Sequence, residues 1–451
     1  MPGYARLFCD YFLFVLLPVQ VENSALYRRL LAIEHRAKAR HQDLTLSDEE
    51  FLTKRKFIIK LGKALHKFGT PAYRLESHLQ SVASTLGLEG YFLITPTTMT
   101  FVLQREQDQE YNHIARVKPG ELDLGSLARC DELVEELTSG KRDLADAMAR
   151  LQDIESRPNP YGPLLSCLSF SAAAAAFAML MQTSWNDVAW SALFGLVVYG
   201  FVYRAERSLR MAAMLEPFAA IICGIGACLV ATYDPHVNVP VVVLSGLIIF
   251  VPGLALTIGL SELAARDLIS GTARVMDAMM LLFKLYFGVV LGLALGKVLF
   301  GRVEYLEPQA LPTWATWLAV PILSMALVVV FKARMKDAFW GVLAGGIAFS
   351  VAAYAGIYFG NSISVFFGAL AVGVYASLYS RWMNAPASIA LLQGIVILVP
   401  GSKSYIGLNA MVTGEMMLKQ SHVGSQVFLI FMSLVAGLIF ANVLMPPRRT
   451  L

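Results

Sequence analysis

The chain has 451 residues, of which 56% are hydrophobic and only 16% are charged, whereas a soluble globular chain carries about 25% charged residues. The charges are unevenly spread: residues 161–451 hold 27 of the 70 charged side chains, and the first 160 residues hold the other 43. This pattern excludes a wholly soluble enzyme, a disordered chain and a nucleic-acid-binding protein. It predicts a roughly neutral soluble domain followed by an integral membrane domain.

The N-terminal segment, residues 1–44, contains a short apolar run at residues 5–20 that Asp10 interrupts. The run is shorter than the roughly 20 residues that a spanning helix needs, and it lacks the small-residue cleavage site of a signal peptide. We therefore interpret it as an interfacial or packing segment, or as an artefact of the assigned start. The basic residues that follow favour the cytoplasmic side of a membrane.

A small cytoplasmic α/β domain is predicted over residues 45–156. Ser47 and Glu50 form a capping box that begins a helix, and Gly69 ends it. Pro71 suits the first position of a second helix. The elements expected after it are strands at Tyr91–Thr95, Thr98–Gln104 and Tyr111–Val117 and helices over 124–138 and 142–155.

This domain offers no recognisable catalytic centre. The motifs of serine hydrolases, zinc proteases, phosphate-binding loops and dinucleotide-binding loops are absent from the sequence. His66 and His78 fall beside apolar helix stripes, so we interpret them as packing or surface residues. The five cysteines show no metal-ligand spacing. The sequence therefore predicts no catalytic residue, no metal site and no cofactor.

The rest of the chain is predicted to be an α-helical integral membrane protein with ten transmembrane helices. Several of its apolar segments are near the roughly 20 residues that cross a bilayer. Their approximate bounds are 161–181, 188–203, 212–232, 239–256, 275–300, 312–331, 338–358, 362–380, 386–401 and 424–446. With the N-terminal domain inside, 11 basic residues fall in inner connections and the tail, and 3 fall in outer connections. This bias favours ten spans with both termini in the cytoplasm.

An internal repeat divides the membrane part into a first half, residues 161–300, and a second half, residues 312–446. Residues 246–260 align with residues 394–408 at an offset of 148, and eight of 15 positions are identical. Because each copy contains five spans, an odd number, the two copies would have opposite orientations in the membrane. Two inverted five-helix repeats are a recurring plan of secondary transporters.

A Val-Pro-Gly shared by the two copies is predicted to break the fourth and ninth spans. Proline removes a backbone donor, so Pro252-Gly253 and Pro400-Gly401 would each interrupt helical hydrogen bonding. Broken backbone at membrane depth is tolerated where it lines a wet cavity, and its free carbonyls can hold polar ligands. The alternative interpretation is a kink or a helix end without a ligand.

The motifs together resemble the threonine/serine exporter family, which includes fungal pheromone-regulated membrane protein 10-like proteins. The resemblance covers about residues 50–446 and rests on the order of four motifs: Gly69-Thr-Pro-Ala-Tyr-Arg-Leu-Glu76, Thr95-Pro-Thr97, Gly120-Glu-Leu-Asp-Leu124 and the Val-Pro-Gly segments. It implies a cytoplasmic N-terminal domain, ten spans and export of threonine and serine driven by the proton gradient. Some relatives, split into two subunits, are associated with dicarboxylate export.

Polar side chains beside the two breaks are the first candidates for a translocation pathway. A zwitterionic amino acid needs donors for its carboxylate and acceptors for its ammonium, and hydroxyls and free carbonyls supply both. Thr257 follows the first break. Lys403, at the second break, can bind the carboxylate or face the outer solution. The candidates at the second break are Ser402, Lys403, Ser404, Tyr405 and Asn409.

Ionisable residues within spans are functional candidates because their burial in lipid is costly. Glu216, just before Pro217 in the third span, is the first candidate for proton coupling, and an interfacial position is the alternative. Lys284 in the fifth span can attract a carboxylate or extend its stem to an interface. Asp277, nearer the start of that span, is interpreted as interfacial.

A further group of charges follows the first break. Glu262 and Arg266 are four residues apart, a spacing that predicts an ion pair on one helix face. Asp267 follows directly. The group is either a salt-bridged surface helix or a cytoplasmic gate.

The sequence as a whole predicts a secondary active transporter, not an enzyme, that exports threonine or serine by proton antiport and alternating access. Its partners would be the small-molecule substrate, protons and the lipid of a bacterial inner membrane or a fungal membrane; a homo-oligomer stays open. One rival is a dicarboxylate exporter of the same architecture, in which Lys284 and Lys403 supply paired charges. The other is a membrane-anchored hydrolase or sensor that works through its N-terminal domain.

Overall fold

The computed structural model describes residues 49–105, 109–301, 306, 310–399 and 423–448. The chain divides into two units, residues 1–56 and residues 57–451. In the first unit, residues 49–56 are helical. All elements named below belong to the second unit. The predicted N-terminal segment 1–44 lies outside the described residues.

Residues 57–156 form a layer of helices and strands, called here the α/β layer. Its elements are α1 (57–67), α2 (Ala72–Thr85), β1 (Glu89–Ile94), β2 (Thr98–Arg105), β3 (Gln109–Arg116), α3 (Leu124–Thr138) and α4 (Leu144–Ser156). The strands form one antiparallel sheet in the order β1-β2-β3. Alternate residues of the central strand, Met99, Phe101 and Leu103, are fully buried, as one face of a half-covered strand requires. The predicted strands and last two helices are confirmed to within two residues.

Two glycines shape the junction between α1 and the turn before α3. Gly69 ends α1 with φ +85°, a left-handed conformation that favours glycine. Gly120 lies so close to α1 that a Cβ atom would stand 1.9 Å from the carbonyl oxygen of His66. The turn is fixed there because the Glu121 amide donates to the carbonyl of Lys67 at 3.1 Å. Two of the sequence motifs, near Gly69 and near Gly120, are therefore neighbours in space.

The remaining elements are apolar helices. They are α5 (Pro163–Leu180), α6 (Trp185–Ala205), α7 (Leu209–Ala213), α8 (Leu215–Tyr233), α9 (Val239–Gly246), α10 (Gly253–Ala264), α11 (Leu268–Phe300), α12 (Thr313–Val330), α13 (Met335–Met383), α14 (Ser388–Leu398) and α15 (Val423–Leu444). Among the described residues, seven helices are long and apolar enough to cross a membrane, or eight if Val239–Gly246 and Ile248–Ala264 form one bent span. The protein is an integral membrane protein.

Helix α13 is far longer than one span requires. Its 49 residues correspond to about 73 Å at the helical rise, against a bilayer core of roughly 30 Å. Gly360 interrupts it with φ 76° and ψ 161°, which are not helical values. The sequence predicted two separate segments, 338–358 and 362–380. The structure keeps both segments helical and places the interruption at the glycine between them.

The two halves share local features at one offset. Gln182 and Lys332, 150 residues apart, both have positive φ, 55° and 52°, shortly before α6 and α13 begin. Asp187 and Asp337, also 150 residues apart, are buried carboxylates in the first turns of these helices. The shared positive-φ residues and buried carboxylates, each pair 150 positions apart, show that the likeness of the two halves extends beyond the aligned Val-Pro-Gly segments.

The halves also share a close helix crossing. A Cβ atom on Gly292 of α11 would lie 2.5 Å from the carbonyl oxygen of Ile221 of α8. A Cβ atom on Gly437 of α15 would lie 2.5 Å from the carbonyl oxygen of Phe366 of α13. Each residue of the second pair stands 145 positions after its counterpart in the first. Glycine is required at both crossings because the backbones touch there.

Candidate functional site

A cavity of about 690 Å³ lies between the two halves. Its wall includes Ile248–Ala255 from the first half and Val396–Val399 from the second. It also follows α12 from Thr316 to Phe331, a distance of about 22 Å by helical rise. The volume lies within the range of roughly 300–1,000 Å³ that is usual for small-molecule sites.

The predicted break at Pro252-Gly253 is confirmed and forms part of this wall. Helix α9 ends at Gly246, a short turn of 3-10 helix covers Ile248–Phe250, and α10 begins at Gly253. The two helical parts meet at 58°. The break therefore stands beside a cavity, where the carbonyls of Val251 and Pro252 accept hydrogen bonds from the amides of Gly253 and Leu256.

Thr257, the polar candidate after this break, is not in the cavity wall. It is buried, and its hydroxyl donates to the carbonyl of Gly253 at 3.0 Å. The candidates at the second break, Pro400, Gly401, Ser402, Lys403, Ser404, Tyr405 and Asn409, lie outside the described residues. Val399, the last described residue before them, lines the cavity.

Two charged side chains line the described part of the cavity wall, Glu216 and Arg274. Glu216 lies in the first turn of α8 and is half-buried. Three neutral polar side chains join them: Thr316, Asn361 and Ser364. The Thr316 hydroxyl is shielded from solvent without a hydrogen-bond partner among the described residues. The described wall is thus mostly apolar, with one carboxylate, one guanidinium and a few polar groups.

The other charged candidates of the fifth span are outside this cavity. Lys284 and Asp277 of α11 are both exposed and are not among the residues that line it. The sequence analysis left two roles open for Lys284, binding of a carboxylate or extension of its stem to an interface. The structure does not bring it together with Glu216.

Glu262 is fully buried, and its carboxylate is held by three residues. The backbone amide of Ala72 donates to Oε1 at 3.0 Å, and the Ser270 hydroxyl donates to Oε2 at 3.2 Å. Arg274 donates from Nε to Oε2 at 3.1 Å and from Nη2 to Oε1 at 3.2 Å. A buried carboxylate needs such partners because its desolvation is costly. We call Ala72, Glu262, Ser270 and Arg274 the Glu262 cluster.

The predicted ion pair between Glu262 and Arg266 is wrong. Helix α10 ends at Ala264, and Arg266 is exposed with φ +67°. The chain has therefore left the helix before the i,i+4 partner is reached, and Arg274 takes its place. Asp267 caps α11 by accepting a weak hydrogen bond from the Ser270 amide at 3.4 Å.

The α/β layer closes one end of the cavity. Gly69, Gly120 and Leu122 line the cavity, and the amide of Leu124 donates to the carbonyl of Phe331 at 3.0 Å. Because Phe331 also lines the cavity, this contact lies at its edge. The Ala72 amide adds the bond to Glu262 described above.

A group of ion pairs also joins the α/β layer to the start of α13. Glu132 of α3 lies 2.7 Å from Arg334 Nη1 and 3.0 Å from Lys336 Nζ. Arg334 also pairs with the buried Asp337 at 2.6 Å. The first turn of α13 is thereby fixed to α3. Backbone bonds and ion pairs thus join the α/β layer to both halves.

Three carboxylates, Glu76, Glu262 and Asp267, lie near one another where α2 meets α10 and the start of α11. Glu76 accepts a hydrogen bond from the Ile94 amide at 2.7 Å, yet burial raises the pKa of its carboxyl, and the nearby Asp267 and Glu262 add to the rise. Burial likewise raises the pKa of Asp267, whose Oδ2 has no described partner. Of these three carboxylates, Glu262 is the one that forms an ion pair with Arg274.

Sequence reasoning missed part of this site. Arg274 is one of the 11 basic residues that the sequence analysis assigns to inner connections and the tail, because the apolar segment was expected to begin at 275, whereas α11 begins at Leu268. Asn361 fell in an expected connection between spans. A polar residue directly after a glycine such as Gly360, between two apolar runs, is the signal that would have found it. Thr316 and Ser364 carry no such signal.

Within the described ranges, no group of three or more His, Cys, Asp or Glu side chains could hold a metal ion. The geometry is that of a binding cavity with a closed end. Its described wall offers one carboxylate, one guanidinium and three neutral polar side chains, next to the break at Pro252.

Two family models of threonine/serine exporters match the chain, one over residues 56–296 and the other, described as threonine/serine exporter, ThrE, over residues 316–444. The chain is also similar to pheromone-regulated membrane protein 10 of Candida albicans, with 27% identity over 415 residues, 85% of this chain and 36% of that protein. The protein of the same name in Saccharomyces cerevisiae is 25% identical over 375 residues, 79% of this chain and 47% of that protein.

The protein of that name in Yarrowia lipolytica is 25% identical over 385 residues, 81% of this chain and 31% of that protein. The chain thus spans about a third to a half of the length of these relatives. No solved structure matches the chain.

Proposed function

The chain belongs to the threonine/serine exporter family, which is a family of membrane transporters and not of enzymes, and we propose that it exports small neutral amino acids, threonine and serine. The observation that carries the proposal is the cavity between the halves. Glu216 and Arg274 line it beside the broken backbone at Pro252. A zwitterion presents one carboxylate and one ammonium; this wall offers Glu216 to the ammonium and Arg274, which also pairs with Glu262, to the carboxylate.

The proposed architecture is ten spans in two inverted repeats of five. Gly360 divides α13 into two parts that are each about as long as a span, and Ser388–Leu398 is a short helix before Pro400, as Val239–Gly246 is before Pro252. The features shared at offsets of 145 and 150 support the duplication. An odd number of spans in each copy requires the inversion.

The second break would complete the binding site. By the repeat, Pro400-Gly401 corresponds to Pro252-Gly253, and Val399 already lines the cavity. Ser402, Ser404, Tyr405 and Asn409 would then offer hydroxyls and an amide to the substrate, and Lys403 a second cation. This part of the proposal depends on the sequence alone.

The α/β layer would act as the cytoplasmic gate. It covers the end of the cavity near Phe331, and both termini would lie on that side of the membrane, in keeping with the basic residues of the inner connections. Alternating access would require the bonds of the Glu262 cluster to Ala72 to open. Glu262 and Asp267 belong to this gate, and the exposed Arg266 lies at its edge.

Proton coupling is assigned to Glu216. It is half-buried in the cavity wall, and no hydrogen bond or ion pair within the described residues holds its carboxylate. A carboxylate in a low-dielectric wall can exchange a proton for a substrate ammonium, because either one neutralises it. Antiport follows if Glu216 binds either a proton or the substrate ammonium, but not both at the same time.

Efflux from proteoliposomes tests the proposal. Vesicles that contain the full-length protein are loaded with labelled threonine, and a proton gradient is imposed. We expect the gradient to accelerate efflux and unlabelled serine to compete. Efflux that is indifferent to both would contradict the substrate and the coupling.

A parallel efflux measurement with succinate tests the rival function, export of dicarboxylates. The described wall contains one cation, Arg274, and Glu262 already engages it. A carboxylate of either substrate therefore meets the same shared cation, but only threonine has an ammonium for Glu216, which would repel the second carboxylate of a dianion. We expect threonine efflux to exceed succinate efflux. The reverse order would favour the dicarboxylate function.

A further inference from the structure

A second cavity, of about 280 Å³, lies where the α/β layer meets the ends of several apolar helices. Tyr73 and Arg74 of α2 form one side of it, and Leu391, Leu438 and Ile439 form part of the other. It shares no described lining residue with the larger cavity. The proposed transport pathway therefore does not account for it.

Arg74 brings a positive charge to this cavity, and no ion pair among the described residues engages it. Its Nε donates to the Tyr73 hydroxyl at 3.1 Å, and the guanidinium lies 5.7 Å from the centre of that ring. No carboxylate among the described residues bonds to Arg74, and none lines the cavity. A half-buried guanidinium with free donors is suited to a phosphate or another anion.

Two more arginines make contacts just after the end of α15. Arg381 Nη2 donates to the carbonyl of Pro446 at 3.1 Å, and Arg448 Nη1 donates to Asn384 Oδ1 at 3.4 Å. Both contacts adjoin Pro447, which lines the cavity. Basic residues at a cavity between membrane helices are typical of sites for anionic lipid head groups.

The cavity reaches the surface that would face lipid. Ile439 lines it and is also 46% exposed, on the outer face of α15. Trp382, at the end of α13 next to Arg381, is 63% exposed. Exposed tryptophan beside arginine marks the depth of the membrane interface. The apolar walls then lie on the bilayer side of the cavity and Arg74 on the water side.

From this arrangement we infer that the cavity binds an anionic phospholipid. The phosphate would bind the Arg74 guanidinium, and an acyl chain would lie against Leu438 and Ile439. Apolar walls that continue onto the lipid-facing surface favour a lipid over a small free anion. The bound lipid would join the α/β layer to α13 and α15, at a place separate from the Glu262 cluster.

Binding to the full-length protein in detergent tests this inference. The probes are short-chain phosphatidylglycerol, short-chain phosphatidylcholine and glycerol 3-phosphate, and binding is followed by the rise in melting temperature. We expect phosphatidylglycerol to stabilise the protein more than the other two. The variant R74Q should bind phosphatidylglycerol roughly tenfold more weakly, as loss of a charge-assisted bond predicts.

The matched control is R150Q, which alters an exposed arginine of α4 that pairs with Asp153 at 2.9 Å. It should bind phosphatidylglycerol as the wild type does. Equal stabilisation by phosphatidylglycerol and phosphatidylcholine would overturn the inference, as would unchanged binding in R74Q. Equal stabilisation by glycerol 3-phosphate would show a free-anion site instead. If R74Q is unstable on its own, R74K should fold and keep part of the preference.

Discussion

Two carboxylates, one in the wall of the large cavity and one bonded to its Arg274, show how environment decides the role of a residue. Glu262 is 0% exposed and receives hydrogen bonds from Ala72, Ser270 and Arg274. Glu216 lines the open cavity and has no bond within the described residues. The first is committed to holding the α/β layer against the helices. The second remains available to a proton or a ligand.

The largest effect is expected from removal of Glu262. Glu262→Ala leaves the half-buried Arg274 guanidinium without its partner and the buried Ala72 amide without an acceptor, so we expect a loss of roughly 3 kcal/mol in the free energy of unfolding. Thermal and denaturant unfolding of the full-length protein in detergent measure it. The control Glu136→Ala removes an exposed carboxylate that pairs with Arg142 and should change little. Equal stability of the two variants would mean that Glu262 does not hold the layer.

Glu216 should show the opposite pattern. Glu216→Gln keeps the shape of the side chain but cannot ionise, so we expect unchanged melting and a threonine efflux reduced roughly tenfold, with its dependence on the proton gradient lost. Asp277→Asn, which neutralises an exposed carboxylate outside the cavity, is the control and should retain efflux. Gradient-dependent efflux in Glu216→Gln would remove Glu216 from the proposed mechanism.

A smaller effect is expected at the rim of the α/β layer. Glu132→Gln weakens the ion pairs with Arg334 and Lys336, but the side chain of Glu132 is 45% exposed, so solvent screens them. The expected loss is under about 1 kcal/mol. It should shrink further at high salt, whereas the effect of Glu262→Ala should not. A loss as large as that of Glu262→Ala would make the rim the principal attachment of the layer.

The smallest effect, at Glu76, depends on pH. Burial raises the pKa of this carboxyl above its usual 4.5, so the folded state keeps the proton to a higher pH than the unfolded state. Its contribution to stability falls as the pH rises through that interval and is constant above it. Glu76→Gln removes the ionisation and keeps an oxygen for the Ile94 amide.

We therefore expect Glu76→Gln to melt above the wild type near neutral pH, and the gap to close as the pH approaches 4.5 and below. Melting curves of both proteins from pH 4 to pH 8 measure this difference. A gap that widens on acidification would mean that the Glu76 carboxyl is stabilised in its charged form by the fold.

Local patterns in the sequence predicted local structure well. Capping residues, glycines and alternating apolar residues determine the elements of the α/β layer, and the Pro252-Gly253 break follows from the missing backbone donor. Each of these depends on neighbours in the chain. The internal repeat could also be recognised from the sequence, because its two copies can be aligned with each other directly.

Partners distant in the chain were harder to predict. The i,i+4 spacing predicted an ion pair between Glu262 and Arg266, but α10 ends two residues after Glu262. The Glu262 carboxylate instead accepts a hydrogen bond from the Ala72 amide, 190 residues earlier in the chain. Arg274 lies in α11, which begins at Leu268, before the apolar run itself, and its side chain lines the cavity. Burial and docking across the chain decide such pairs, and periodicity carries no information about them.

The central claim is that the cavity between the halves holds the transported amino acid. The part of its wall near Asn361 offers the most direct test. Asn361 lines the cavity and is exposed, whereas Tyr358, on the other side of Gly360, is 67% exposed and does not line it. Cysteine is introduced as Asn361→Cys or Tyr358→Cys, and the rate of labelling by a small membrane-permeant thiol reagent is measured with and without threonine. The account predicts that saturating threonine slows labelling several-fold at position 361 only, and that succinate does not. Labelling at position 361 that threonine leaves unchanged would contradict it.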